Sequence, residues 1–345
     1  MIQNIEYTIN EEDDNFKDDN IHFEVNNSND KIHISFVNGI RRSIEENLES
    51  YVLNDIDILV NESLFNNDIL IHRLQLLPLM YDKIIKNNPE EIKFNVDFKN
   101  TNTVPDTLKS SHITFTNSTG IIENLISYKD IMILNNIKPG LSVKFNGSLK
   151  LGLSKEHAMF KHTFINKYYF KEDTNMIDNM IKESNITNEK DIKSFRLEQN
   201  VYKKNKNGNP EIYVFDIKSN GITSVKNSLK VAIEKLILKI KFIQSEIKLK
   251  SDSIFILPSE NNPKIQIMTC MNENSTIGNL FSYYFSSHEL LNTCSYIIPH
   301  PLKNELLIKF IFNKESDCSK DNCLLILNEK SNELIKLFED FKSFF

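Results

Sequence analysis

The sequence predicts an α+β fold in which two modules, each a small sheet with amphipathic helices, carry a β-rich insert. Three observations predict it. A short strand-like alternation leading into an amphipathic helix occurs at residues 32–51 and again at residues 265–287. A long apolar stripe, Val225, Leu229, Ala232, Leu236, Ile240, Ile243 and Ile247, repeats at spacings of three and four, as a bundle seam does. Short runs such as residues 92–98 and 113–116, broken by Asn, Thr, Pro and Gly, read as the strands of a separate small domain.

At 345 residues the chain has room for two or three domains and a substantial core. Its formal charge of −6 and pI near 5.8 argue against a main task of neutralising nucleic-acid phosphates. No apolar run approaches membrane-spanning length, and residues 1–20 are acidic and polar, unlike a secretory signal. A soluble, intracellular protein is expected. The wealth of Asn, Lys and Ile, with no tryptophan and alanine only at Ala158 and Ala232, is a codon bias that bears on source rather than function.

Taken in order, residues 1–35 read as an acidic start followed by one or two strands. Ile32, Ile34 and Phe36 alternate like a half-buried strand. The chain then turns at Asn38-Gly39 into a helix with Ile40, Ile44, Leu48 and Val52 on one face. Arg41 and Arg42 fall in the first turn of that helix, where the partial positive charge of the N-terminus disfavours cations. Solvated surface charge and a docking point for another macromolecule are both open readings. Residues 52–60 form a strand, and Asp68 caps a short helix carrying Ile69, Leu70, Leu74 and Leu77, ended by Pro78. Lys138-Pro139-Gly140 is a turn before a strand at 141–145.

His157 and His162 lie five apart, share no helical face and have no third ligand at a plausible offset. His157 therefore reads as a structural histidine. Residues 167–209 read as loops and a surface helix, with a solvated hairpin tip at 203–206. A strand at 212–217, a turn at Gly221 and a cap at Thr223 or Ser224 lead into the long stripe. Residues 251–263 are a polar linker with two prolines. Beyond it come a strand at 264–268, a Ser275-Thr276 cap and a helix face of Ile277, Leu280, Tyr284 and Phe285. Strands at 294–298 and 306–312 follow, then a closing helix with Leu324, Leu327, Leu334, Phe338, Phe341 and Phe345.

Catalytic signatures are lacking. No phosphate loop, dinucleotide fingerprint, zincin motif or nucleophile elbow is present, and eight glycines leave little material for phosphate cradles. Asp55 and Asp57 alternate along a strand without a third carboxylate. Cys270, Cys294, Cys318 and Cys323 form no C-x-x-C pair; Cys318 and Cys323 fit two reduced surface thiols better than a metal clip. No metal and no cofactor are expected, and the pattern points to a scaffold. A structural virion protein and an enzyme with an unfamiliar site are the alternatives.

Six motifs then converge on one family. Asn38-Gly39-Ile40-Arg41-Arg42 resembles the N-A-L-R-R motif of the α-like subunits of multi-subunit RNA polymerases, and residues 72–79 (H-R-L-Q-L-L-P-L) resemble their H-R-L-G-L-I-P-L. Residues 152–158 (G-L-S-K-E-H-A), following the Lys138-Pro139-Gly140 turn, are similar to the returning G-x-G-K-E-H-A. Residues 215–221 are similar to the closing F-x-I-E-S-x-G. The C-terminal part resembles the small α-like partner through T-I-G-N-L at 276–280 and I-P-H-P-L at 298–302. Together they cover nearly all of residues 30–345. Gln75 replaces a glycine, Asn274-Ser275 stand where Asp-His is usual, and the cysteine-rich metal-binding loop of some relatives is absent.

The resemblance implies the larger α-like subunit fused to its small partner in one chain, as in large cytoplasmic DNA viruses. Residues 1–51 and 153–250 then form the larger dimerisation module, 52–152 the insert, 251–263 the linker and 264–345 the small module. The two modules would form a pseudo-dimer with four-helix packing through Ile44, Leu48, Leu229, Leu236, Ile240, Ile277, Leu280, Tyr284, Leu334, Phe338 and Phe341. The implied partners are the largest and second-largest polymerase subunits and other small subunits, with DNA and RNA reached only through the complex. Asn38, Gly39, Arg41, Arg42, His72, Arg73 and His157 would face them. The implied setting is the host cytoplasm and virion for a viral chain, or the nucleus for a cellular one, and no membrane.

Overall fold

The computed structural model describes residues 2–8, 19–128, 130–249, 253–300 and 302–345. The expectations for most of residues 1–20, the first two linker positions and Pro301 lie outside them. In chain order the first part comprises β1 (Ile2–Thr8), β2 (Asn20–Asn26), α1 (Ile34–Glu46) and β3 (Glu49–Asn61). Next come α2 (Asn67–Gln75), α3 (Tyr81–Lys86), β4 (Lys93–Lys99), β5 (Asp106–Lys109), β6 (Thr114–Asn117), β7 (Gly120–Ile122), β8 (Met132–Ile137) and β9 (Ser142–Leu153). Then follow β10 (Thr163–Phe170), α4 (Thr174–Glu183), α5 (Glu189–Gln199), β11 (Ile212–Ser219) and α6 (Val225–Leu249). The last part holds β12 (Ile254–Pro258), β13 (Ile265–Met271), α7 (Ser275–Ser286), β14 (Leu291–Ile297), β15 (Glu305–Phe312) and α8 (Lys320–Lys342).

Two four-stranded antiparallel sheets, ordered β1-β2-β11-β10 and β12-β13-β15-β14, share one hydrophobic core with α1, α6, α7 and α8. Helix α1 packs on α6 and α7, and α8 packs on α6 and α7, so the four helices contact one another in a ring. All seven residues of the long α6 stripe are buried, which is where a sustained 3.6-residue period puts them. Ser43 ties α1 to α6 by donating its hydroxyl to the Ala232 carbonyl at 2.7 Å.

A second core draws on Leu53, Leu70, Leu74, Phe94, Phe145 and their neighbours, from the sheet β3-β9-β4-β6-β7, the pair β5-β8 and helix α2. The long strands β3 and β9 pair from Glu49↔Leu153 to Asn61↔Val143 and join the two regions. Among the described residues no helix is long and apolar enough to cross a membrane.

Several sequence expectations need correction. Ile34 and Phe36 are helical, and Asn38-Gly39 is no turn: α1 starts four residues earlier than expected, capped by His33, whose Nδ1 accepts from the Ser35 N–H at 3.2 Å. The alternation Ile32-Ile34-Phe36 fits period two, but Phe36, Val37, Ile40 and Ile44 fit a buried helical face, and burial decides. The helix ends at Glu46, so Val52 belongs to β3. Part of the expected linker is the edge strand β12, with Ile254 and Ile256 buried and Phe255 and Leu257 turned out. Helix α7 is capped by Asn274, not Ser275-Thr276, and buries Phe281 beside Ile277 and Leu280, leaving Tyr284 half-buried. Residues 167–209 hold the end of β10 and two helices. Arg196 of α5 reaches both carboxylate oxygens of Glu172 at 3.1 Å and Asp178 at 2.5 Å.

Candidate functional site

Because α1 begins at Ile34, Arg41 and Arg42 lie in mid-helix, and the helix-terminus argument for their unusual charge falls away. They diverge as residues 100° apart on a helix must. Arg42 turns inward to the α1–α7 junction. Its Nε and Nη2 donate to Glu46 Oε1 at 2.9 and 2.5 Å, and Nη1 donates to the Ser275 hydroxyl at 3.2 Å. Asn274 Nδ2 donates to the other Glu46 oxygen at 3.0 Å, a bond an aspartate at that position would lack. The departure at Asn274-Ser275 is thus matched by Glu46 and Arg42.

Arg41 faces the other way, towards β10. It is half-buried and donates from Nε to Asn38 Oδ1 at 3.0 Å; among the described residues nothing accepts from its two terminal nitrogens. Asn166 pins the surrounding helix, donating to the Arg41 carbonyl at 2.9 Å and to Glu45 at 3.1 Å, while Lys161 pairs with Glu45 at 2.7 Å. Gly39 is buried instead of displayed. A Cβ there would stand 3.4 Å from the Leu280 side chain, an ordinary van der Waals contact across the α1–α7 crossing.

The 152–158 motif lies at the end of β9, on the same side. Gly152 lets the Phe160 ring lie against the strand: an added Cβ would be 2.3 Å from it. Ser154 donates its N–H and hydroxyl to the Leu48 carbonyl, both at 2.9 Å, and Ser50 donates to the Phe160 carbonyl at 3.0 Å. These bonds hold an exposed loop in which the His157 imidazole accepts from the Met159 N–H at 3.2 Å. His157 is therefore not the structural histidine expected. That part falls to His162, 4% exposed, whose Nε2 lies 2.9 Å from the Glu49 carbonyl; burial pushes its pKa down to about 4.

Helix α2 displays a stripe at i, i+3, i+4 and i+7: Ile69, His72, Arg73 and Leu76. Leu70 and Leu74 anchor the opposite face in the second core, and Asn66, not Asp68, caps the helix. Ile69 and Leu76 are nearly half exposed, and Arg73 donates to the Met132 carbonyl at 2.9 Å beside the exposed Met132 side chain. Apolar ends flanking a His-Arg pair form a surface suited to a protein partner. Among the described residues no hydrogen bond or ion pair links this α2 group to the α1 group.

Ten of the eleven residues expected at the helix pairing are fully buried in the first core, with Tyr284 at its margin. Sequence reasoning put Phe36 on a strand and missed Phe281 and the polar rim around them. That rim includes Lys342–Glu234 at 3.0 Å, Lys239–Glu273 at 3.7 Å and Gln244 Nε2 to Asn332 Oδ1 at 3.2 Å. The N-terminal Asn-Gly pair and the repeated strand–helix plan signalled the location, but not which polar residues would meet.

Among the described residues no group of three or more His, Cys, Asp or Glu is placed to hold a metal ion. Cys323 is fully buried in the first turns of α8, not on the surface, and only Cys318 is half-exposed; burial raises the pKa of Cys270 and of Cys294 to about 12.

Residues 266–343 match the RNA polymerase Rpb3/Rpb11 dimerisation domain family. The DNA-directed RNA polymerase subunit Rpo3 of Methanobrevibacter smithii is 29% identical over 139 residues, covering 39% of this chain and 50% of that protein. Rpo3 of Pyrobaculum aerophilum is 27% identical over 146 residues, 39% of this chain and 54% of the relative. Rpo3 of Methanocaldococcus jannaschii is 28% identical over 131 residues, 38% and 62%. The chain thus spans about half to three-fifths of the length of these relatives.

Proposed function

We propose that this chain is a non-catalytic assembly platform of a multi-subunit DNA-directed RNA polymerase, with a larger and a smaller α-like module fused and paired within one molecule. The observation that carries this reading is the single core shared by two sheets and four helices, 19 of whose 43 buried residues lie within the segment that matches a dimerisation domain. In this reading residues 1–51 and 153–250 pair with residues 264–345 as a pseudo-dimer, and residues 52–152 are an insert. Fusion makes the pairing intramolecular, at an effective concentration in the millimolar range (~mM).

The platform supplies no reacting group. It acts by position, holding the second-largest subunit through the Arg41 face of α1, the α2 stripe with His72 and Arg73, and the His157 loop. The largest subunit and other small subunits attach to the same assembly, and nucleic acid is met only through it. A viral source, with a cytoplasmic and virion setting, is the finer form of the proposal.

Expression of tagged full-length chain with the large polymerase subunits tests it. The expected result is a stoichiometric complex that survives gel filtration. A chain that folds yet captures neither large subunit overturns the reading.

A further inference from the structure

Away from the α1–α2 surface, α6 turns two large apolar side chains outward. Leu238 and Phe242 are 60% and 52% exposed and stand one helical turn apart. They border a groove of about 340 Å³ whose opposite wall includes Leu153 and Lys155 at the end of β9. Lys235 and Lys239 of α6 complete its rim. Three lysines against two neighbouring acids, Glu49 on the rim and the mostly buried Glu273 beneath it, leave an excess of one positive charge in a chain whose formal charge is −6.

The lysines are held in place. Lys235 pairs with Glu49 at 2.7 Å, and Lys239 with the mostly buried Glu273 at 3.7 Å. Burial raises the Glu273 pKa, and Lys155 and Lys239 both oppose that shift, so this acid lies beneath the cations as their counter-charge.

We propose that this groove docks an acidic amphipathic helix of a partner protein. Two large apolar side chains at i and i+4 of that helix seat on Leu238, Phe242 and Leu153, and flanking carboxylates meet Lys155, Lys235 and Lys239. The apolar pair sets the spacing, since residues four apart on one helix match residues four apart on another. The lysines set the sign, selecting an acidic partner and rejecting a basic one. Leu153 and Lys155 border the 152–158 loop assigned to the large subunits, so the groove adjoins that surface; a test with peptides alone has an outcome that stands apart from the polymerase reading.

The test uses the full chain and three fluorescent synthetic peptides. One is an acidic amphipathic helix with leucines at i and i+4, the second is its scrambled form, and the third has Lys for every Glu. Anisotropy should show saturable binding of the first alone, weakening as salt is raised. Leu238→Ser with Phe242→Ser should weaken it at least about tenfold. Lys155→Gln, which puts no second carboxylate near Glu273, should weaken it too, and the melting temperature of the same variant separates lost docking from lost folding. Equal binding of the scrambled or basic peptide, or acidic-peptide binding untouched by these variants, overturns the proposal. So does a concentration-dependent dimer of the chain that the double variant abolishes, because the groove's occupant is then a second copy.

Discussion

Phe36 of α1 stacks on Phe338 of α8, with ring centroids 4.4 Å apart and planes 20° from parallel. One ring comes from the N-terminal part of the chain and the other from its last helix, and both are fully buried. Phe341 meets Phe36 edge-on at 5.5 Å.

Truncating either ring removes contacts on both sides of the shared core at once. Phe36→Ala and Phe338→Ala should each destabilise the whole molecule by about 3–5 kcal/mol. In a denaturant double-mutant cycle the pair should show a coupling of about 0.5–1.5 kcal/mol. Two separate transitions in either variant, with one half unaffected, would contradict a shared core.

The sharing also predicts what cleavage does. The loop after β12 is exposed at Glu260–Asn262, whereas β12 itself is paired with β13. A protease site placed in that loop should be cut without separating the halves, and they should co-elute at micromolar concentration. Dissociation on cutting would show that the helix ring does not hold without the covalent link.

How far the sequence revealed this arrangement depended on the element. The α6 stripe was legible because its period is sustained over many turns. The start of α1 was not, since Ile32, Ile34 and Phe36 satisfy both periods and only burial separates them. β12 was masked by Pro258 and Pro263, although its inward isoleucines alternate cleanly. Helix α5 buries no residue, so it carries no stripe to read. In the candidate site the residue types were visible but their directions were not: Gly39 and Arg42 face the fold, whereas Arg41 and His72 face outward.

His162 gives a pH dependence. Its pKa in the folded state lies near 4, below the ordinary 6.5, because burial excludes the charged imidazole. The unfolded chain therefore binds more protons between these values. The histidine's contribution to stability is fully present above about pH 6.5 and is lost as pH falls towards 4, a change of about 3 kcal/mol. His162→Gln can keep a donor to the Glu49 carbonyl and has nothing to titrate. Its stability should fall less than that of the wild type between pH 7 and 4.5. Equal slopes would mean that the imidazole is not excluded from protonation.

The two adjacent arginines separate folding from docking. Arg42 joins α1 to the start of α7 through Glu46 and Ser275, so Arg42→Ala should lower stability by about 1 kcal/mol. Arg41 contributes one side-chain bond to Asn38 on its own helix, so Arg41→Ala should shift stability by no more than about 0.5 kcal/mol. At a partner surface the order reverses. An arginine that forks onto a partner's carboxylate or carbonyls can cost about 2 kcal/mol when truncated, roughly 30-fold in affinity. Arg41→Ala should therefore fold normally and capture the second-largest polymerase subunit much more weakly, whereas Arg42→Ala should melt earlier and still capture it below its melting temperature. Measuring both variants by thermal unfolding and by pull-down decides the matter. If Arg41→Ala binds at wild-type affinity, the outward face of α1 is not the docking surface, whatever the rest of the chain assembles with.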